Sequence, residues 1–263
     1  MSESAESATE RWRAMLLGND PAMAKWRRTR RFFRAIPRSP RCKTCAAPFA
    51  GPFRPLFRLL GKEPFAKNPH YCRNCNEQLT RSQGGAEVPI SMLFADVRGS
   101  TPLAERLGPV RLHELMSRFY GVGVEILTRR DALIERFLGD LVVGYFIPAF
   151  AGADHARDAV DAGSELLQAT GNVPGQEPWV PIGIGVHTGD AFVGTVGSGD
   201  MLEFTALGEN VNLAARLGSA AGAGEMLASD ATATAAGVGA DAERRDLELK
   251  GVTERMSVRV LHA

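Results

Sequence analysis

Outside one short window this chain has no cysteine: all four lie between Cys42 and Cys75, and the 188 residues after Cys75 contain none. Lysine is almost as scarce in the C-terminal two thirds, where residues 88–263 hold 13 arginines and a single lysine, Lys250. No run approaches the ~20 consecutive apolar residues of a membrane-spanning helix, and the opening MSESAESATERWR is polar, without a signal-peptide apolar core. These absences exclude a disulfide-dense miniprotein and lead to the expectation of a cytoplasmic protein. What is present, 44% hydrophobic residues in a chain of 263, is enough for one large or two modest globular domains and too much for a disordered chain.

The formal net charge of +1 is a cancellation. Residues 1–87 carry 17 basic and 7 acidic side chains, net +10, whereas residues 88–263 carry 14 and 23, net −9. Four segments are expected: a basic helical segment over 1–41, a four-cysteine module over 42–80, a linker over 81–87 that includes Gln83-Gly84-Gly85, and a larger domain over 88–263.

The first segment reads as one or two helices broken at Gly18-Asn19-Asp20-Pro21, where Asp20 can cap and Pro21 suits a first turn. From Val88 short strands alternate with amphipathic helices. A buried strand is expected over Ile90–Asp96 and a helix over Pro102–Arg130. A hairpin is expected around Gly139-Asp140, a helix over Asp154–Thr170, and a second hairpin of Val180–His187 and Ala191–Val196 around Thr188-Gly189-Asp190. A helix from about Glu209 to Ala220 and strands near 244–249 and 256–261 follow. The order βαββαβ with additions predicts a ferredoxin-like α+β sandwich, preceded by a small helical and zinc-knuckle module.

Two carboxylates stand out. Asp96 ends the apolar run Ser91-Met92-Leu93-Phe94-Ala95, and Asp140 sits between Arg136-Phe137-Leu138 and Leu141-Val142-Val143. Pairing of these strands would bring both carboxylates to one sheet end, as hard oxygen ligands for Mg²⁺ or Mn²⁺. The plainer alternative makes Asp96 a helix cap and Asp140 a turn residue. The turn Val97-Arg98-Gly99-Ser100-Thr101-Pro102 leads from strand to helix and offers backbone N–H groups suited to phosphate.

Three segments together, Leu93–Thr101, Arg136–Asp140 and Phe204–Arg216, resemble the catalytic domain of the class III nucleotidyl cyclases, the adenylate and guanylate cyclase family. The resemblance covers residues 88–262 or so and not 1–87. It implies that Asp96, the backbone of Val97 and Asp140 hold two Mg²⁺ or Mn²⁺ ions, with Gly99, Ser100 and Thr101 toward the phosphates. It further implies that Asn212 orients the ribose, Arg216 stabilises charge on the α-phosphoryl group, and Lys250 contacts the terminal phosphates. The reaction implied is cyclisation of a nucleoside triphosphate to a 3′,5′-cyclic nucleotide and pyrophosphate, for intracellular signalling.

The positions that read the base in this family depart from its usual adenylate pattern of Lys and Asp: here they are Arg136 and Thr205. Thr occurs there in a bacterial adenylate cyclase subgroup, and its hydroxyl can donate or accept; Arg is forked and cannot deprotonate. ATP is the first choice of substrate, with GTP or a pyrimidine triphosphate as alternatives. Family active sites form head to tail between two chains, and this chain holds both halves, so a homodimer with shared sites is expected. The rival reading is a non-catalytic nucleotide sensor whose zinc module contacts nucleic acid or another partner.

In the N-terminal unit, Cys42-Lys43-Thr44-Cys45 and Cys72-Arg73-Asn74-Cys75 form two C-x-x-C pairs, the pattern of a four-thiolate structural Zn²⁺ site. An iron–sulfur centre and free or redox-active thiols are the alternatives. The stretch Lys25–Arg41 has the chemistry to contact nucleic acid or an anionic membrane surface. The preferred reading is a regulatory or dimerising surface that docks on the acidic domain.

Overall fold

The computed structural model describes residues 2–36, 40–135, 139–199, 202–249 and 255–263. The expected break separates α1 (Ser2–Leu16) from α2 (Pro21–Ala35), and the Asp20 carboxylate accepts the Ala22 N–H at 2.8 Å. Next come α3 (Arg54–Leu59), β1 (Pro64–Phe65), β2 (Asn68–Cys72) and α4 (Arg73–Arg81). Then follow β3 (Gly85–Val97), α5 (Ser100–Arg129), β4 (Leu133–Ile134), β5 (Leu141–Phe146), α6 (Pro148–Ala151) and α7 (His155–Ala169). The chain ends with β6 (Ile182–Val196), β7 (Glu203–Leu207), α8 (Glu209–Ala220), β8 (Met226–Ser229), α9 (Asp230–Ala236), β9 (Glu243–Leu247) and β10 (Met256–Leu261).

Two compact units result, one of Met1–Val88 with Phe192–Leu207 and one of Pro89–Ala191 with Gly208–Ala263. The larger unit is a mixed α+β layer structure with strand order β4-β5-β3-β6-β8-β10-β9. β3 and β5 are antiparallel, in register from Ser91 opposite Phe146 to Asp96 opposite Leu141. β6 and β8 run parallel, with Ile184 opposite Met226.

Strand alternation sorts the core. Leu93, Ala95 and Val97 of β3 pack with Phe119 and Leu127 of α5 and with Leu166 of α7. A second apolar cluster joins Leu217 of α8 to Leu227, Val258 and Val260. Arg130, at the end of α5, is clasped by Asp161 at 2.8 Å and by Glu165 from α7.

Two local expectations are corrected. α5 is not one uninterrupted helix: Gly108 adopts φ 70°, ψ 169° just before Pro109, whose ring and missing N–H break the helical ladder. The second hairpin does not form, because Thr188-Gly189-Asp190 stays extended inside β6. The Asn210 side chain lies against Gly189, where an added Cβ would meet it at 2.8 Å, and donates to the Asp190 carbonyl at 2.8 Å. Glycine here admits a neighbour rather than making a turn.

Candidate functional site

β3 and β5 bring Asp96 and Asp140 to one end of the sheet. Asp96 is the last residue in register with β5, and the next N–H, that of Val97, donates to the Asp140 carbonyl at 3.2 Å. Burial pushes the Asp96 carboxyl above its ordinary pKa; Arg98 opposes this and the nearby Asp140 charge reinforces it. The Tyr120 hydroxyl of α5 donates to the Gly139 carbonyl, tying α5 to the loop that carries Asp140. Burial, and then Asp140, raise the Tyr120 phenol.

The turn after Asp96 bends at Gly99, whose φ of 63° is left-handed and suits glycine. Ser100 and Thr101 open α5, with no side chain capping its first N–H groups. Arg98 lies between the halves of the candidate site. Its guanidinium pairs with the Asp96 carboxylate, and Nη1 donates to the carbonyls of Ser219 at 2.8 Å and Ala221 at 3.2 Å at the end of α8. Arg98 stands inside Leu93–Thr101, but no local signal marks its role, because its partners Ser219 and Ala221 lie more than a hundred residues away.

α8 carries Asn212 and Arg216 one turn apart, while Leu217 is buried beneath them. Asn212 is exposed and Arg216 half-buried. The start of α8 is fixed by a buried polar chain. His187 Nε2 and Asn210 Oδ1 are 2.9 Å apart, and His187 Nδ1 lies 2.8 Å from the Ser229 hydroxyl. Asn210 Nδ2 is already donating to Asp190, so Oδ1 must accept, and His187 is the neutral tautomer with hydrogen on Nε2. Burial lowers the His187 pKa, against the opposing effect of the hydrogen bond that Nε2 donates to Asn210. The chain continues through Thr232 and Thr188 to Ser91 and His155. A lone histidine in an apolar strand was its only sequence signal.

Thr205 lies in β7, opposite Gly194 of β6, in the smaller unit. Arg136 and Lys250 fall outside the described residues.

Also in the smaller unit, the sulfurs of Cys42, Cys45, Cys72 and Cys75 are all buried and lie within 4.8 Å of one another. Cys45 Sγ and Cys72 Sγ are 3.8 Å apart, the edge of a tetrahedron with metal–sulfur bonds of about 2.3 Å. Burial alone would raise the Cys42 thiol; the other three sulfurs and the Thr44 hydroxyl outweigh it and hold Cys42 well below the usual thiol range. The Cys72 N–H also points at Cys42 Sγ, 3.3 Å away. Four soft donors in this packing fit Zn²⁺.

The module that holds these thiols grips β7. The Tyr71 hydroxyl donates to Glu203 Oε2 at 2.9 Å and accepts the Phe204 N–H at 2.9 Å. Asn68 Nδ2 donates to the Leu202 carbonyl at 2.9 Å, and Lys43 Nζ lies 3.6 Å from Glu203 Oε2. Trp12 stacks on Phe204, with ring centroids 6.3 Å apart.

Comparison with known proteins supplies the family. The guanylyl cyclase Cya2 is 29% identical with a TM-score of 0.59, covering 67% of this chain and 93% of that one. The adenylyl cyclase CyaB from P. aeruginosa is 28% identical with a TM-score of 0.59, covering 68% and 97%. The uncharacterized protein Rv1319c of Mycobacterium tuberculosis is 32% identical over 134 residues, 51% of this chain and 24% of its own length. The chain thus spans about a quarter of that curated relative. The family model for the adenylate and guanylate cyclase catalytic domain matches residues 85–262, and the chain belongs to that family.

Proposed function

We propose that this protein cyclises a nucleoside triphosphate, ATP first among them, to a 3′,5′-cyclic nucleotide and pyrophosphate, within a homodimer whose chains share each active site. The observation that carries the reading is the convergence of Asp96 and Asp140 at one sheet end, joined by the Val97 N–H bond to the Asp140 carbonyl at 3.2 Å. A carboxyl that burial and a like charge push upward is a carboxyl that a cation would stabilise. Two hard carboxylates beside a backbone carbonyl suit Mg²⁺ or Mn²⁺, and two such ions would polarise the α-phosphate, activate the ribose 3′-OH and neutralise pyrophosphate.

The chain's own residues supply the rest. The turn at Gly99, Ser100 and Thr101 offers N–H groups to phosphate oxygens at the start of α5. Asn212 and Arg216 face one ligand from a single helix face, Asn212 to orient the ribose and Arg216 to hold the negative charge that grows on the phosphoryl oxygens. Lys250 is assigned to the terminal phosphates, and Arg136 with Thr205 to the base. Similarity leaves the base open, because a guanylyl cyclase and an adenylyl cyclase resemble the chain equally well, at 29% and 28%. The hydroxyl of Thr205 can serve either edge of a purine.

For the N-terminal module the reading is a structural Zn²⁺ held by Cys42, Cys45, Cys72 and Cys75, with residues 1–87 acting as a regulatory unit.

The test is incubation of purified protein with ATP, GTP, CTP and UTP separately, in Mg²⁺ or Mn²⁺, with cyclic product and pyrophosphate identified by mass. Cyclic AMP as the main product supports the reading; no turnover of any nucleotide by a confirmed dimer overturns it.

A further inference from the structure

Residues 21–62 contain twelve Lys and Arg side chains and no Asp or Glu. Two of these cations are internal braces: Arg30 bonds the Thr44 carbonyl, and Arg41 donates to the carbonyls of Phe33 at 2.8 Å and Ala46 at 3.1 Å. Others, including Lys25, Arg28, Arg31, Arg54 and Arg58, are exposed. Among them five large apolar side chains also face solvent: Phe32, Phe53, Leu56, Leu60 and, at 86% exposure, Leu59. Phe32 and Phe53 share one face, because they flank a packed pair, Phe33 and Phe57, and Leu56, Leu59 and Leu60 follow Phe53 along the short helix α3 and its end. The ring centroids are 5.7 Å apart for Phe32 and Phe33, 5.4 Å for Phe33 and Phe57, and 6.4 Å for Phe53 and Phe57.

We propose that this face, built from the end of α2 and from α3, is a docking surface for an anionic phospholipid bilayer. Phe53, Leu56, Leu59 and Leu60 enter the acyl boundary, while Arg54 and Arg58 stay at the level of the phosphates. The mixture of groups selects this occupant. A second copy of the chain in a two-fold contact would set the same basic face against itself, with repulsion and no counter-charge. Nucleic acid would satisfy the cations but leave three leucines in water. An acidic protein partner would need its own matching apolar patch. Among the described residues of the acidic stretch 88–263 the exposed large apolar side chains are Val110, Leu207 and Phe192, three against five here, and only Val110 is more exposed than the least exposed of the five. A bilayer with anionic headgroups offers both chemistries at once.

The experiment is co-sedimentation of the zinc-loaded full chain with vesicles of phosphatidylcholine alone and of phosphatidylcholine with 30 mol% phosphatidylglycerol, at ~0.1 M and ~0.5 M NaCl. The expected result is binding to the anionic vesicles only, weakened about tenfold or more at the higher salt. Leu56→Glu/Leu59→Glu should weaken it at least about tenfold, and Arg54→Ala or Arg58→Ala about fivefold each. Unchanged zinc content and circular dichroism in each variant show that the exposed substitutions leave the fold intact. The proposal is overturned by no sedimentation with anionic vesicles, by equal binding to phosphatidylcholine alone, or by binding that the double Leu variant leaves unchanged. It is equally overturned if that variant instead dissociates a dimer or abolishes binding to an oligonucleotide while vesicles are ignored.

Discussion

The hydroxyl of Tyr71, one residue before the metal-ligand candidate Cys72, donates a 2.9 Å hydrogen bond to the carboxylate of Glu203, two residues before Thr205. Tyr71 is fully buried, and the same oxygen accepts the Phe204 N–H. Tyr71→Phe therefore removes two buried hydrogen bonds, one to the Glu203 carboxylate, which keeps Lys43 nearby, and one from the Phe204 N–H, at a cost of about 1–3 kcal/mol in chemical denaturation. Zinc content should not change. The ratio of kcat/KM for ATP over GTP should shift, because the strand that presents Thr205 loses one of its holds.

Metal removal reaches the same strand from the other side. A zinc ion on Cys42, Cys45, Cys72 and Cys75 would hold together the stretches that carry Lys43, Asn68 and Tyr71, and a small module of this kind would draw much of its folding free energy from it. Cys72→Ser, or chelation of the full chain, is expected to abolish zinc retention and to speed hydrogen exchange at Phe204 and Ala206. Amides of β8 and β10 should keep their protection. Equal protection of Phe204 with and without metal would show that the grip survives without zinc.

The parts of the fold visible in the sequence were those governed by local rules. The break before α2 was legible because Asp20 and Pro21 act on their immediate neighbours, and the β3–β5 pair because two apolar runs end in carboxylates. The uninterrupted β6 was not, for Gly189 reads as a turn until Asn210, 21 positions later, is seen packing against it; the kink at Gly108 has a local cause in Pro109 but is masked by an apolar periodicity that reads as one helix. The site divides similarly. Asp96, Asp140, Asn212 and Arg216 lie in contiguous motifs; Arg98, Tyr120 and the His187–Asn210 pair act through partners distant in sequence, which no spacing announces.

Asp96 should trade stability for function. Its folded-state pKa is raised by burial and by Asp140 despite Arg98, so the ionised carboxylate costs stability once pH rises through that value. Asp96→Asn is expected to raise thermal stability at pH 7 without divalent metal, by an amount on the order of 1 kcal/mol, or about 2–4 °C. Cyclisation should be lost. Mg²⁺ or Mn²⁺ should raise the melting temperature of the wild type and not that of the variant. A variant that melts lower than wild type in chelator would show that the Arg98 pair outweighs burial.

His187 gives the opposite slope. Its folded-state pKa is lowered, so the neutral ring stabilises the fold above the ordinary histidine value of about 6.5, and this contribution fades as pH falls through that value toward the folded one. His187→Gln should lower the melting temperature at pH 7.5 by removing the link between Ser229 and Asn210. It should also flatten the fall in stability from pH 7.5 to 5.5 relative to wild type. If the two proteins lose stability in parallel over that range, the slope belongs to other groups, His155 first among them, whose pKa burial also lowers.

The proposed division of labour between Asp96 and the Asn212/Arg216 face makes a quantitative prediction for mixed dimers. Asp96→Ala should remove the metal carboxylate from every site of its homodimer. Asn212→Ala should cost about 10²–10³-fold in kcat, the effect of losing one positioned polar contact to the reacting group. Co-refolding the two variants in equal amounts gives half heterodimers, and in a head-to-tail arrangement each heterodimer pairs one intact Asp96 with one intact Asn212. One site of its two is then complete, so the mixture should recover about a quarter of wild-type activity. Sites built within single chains would give no recovery at all, because every chain in the mixture carries one lesion. Repeating the mixture with Arg216→Ala in place of Asn212→Ala should give the same fraction, since both residues lie on α8 and the proposal puts them in the same half of the site.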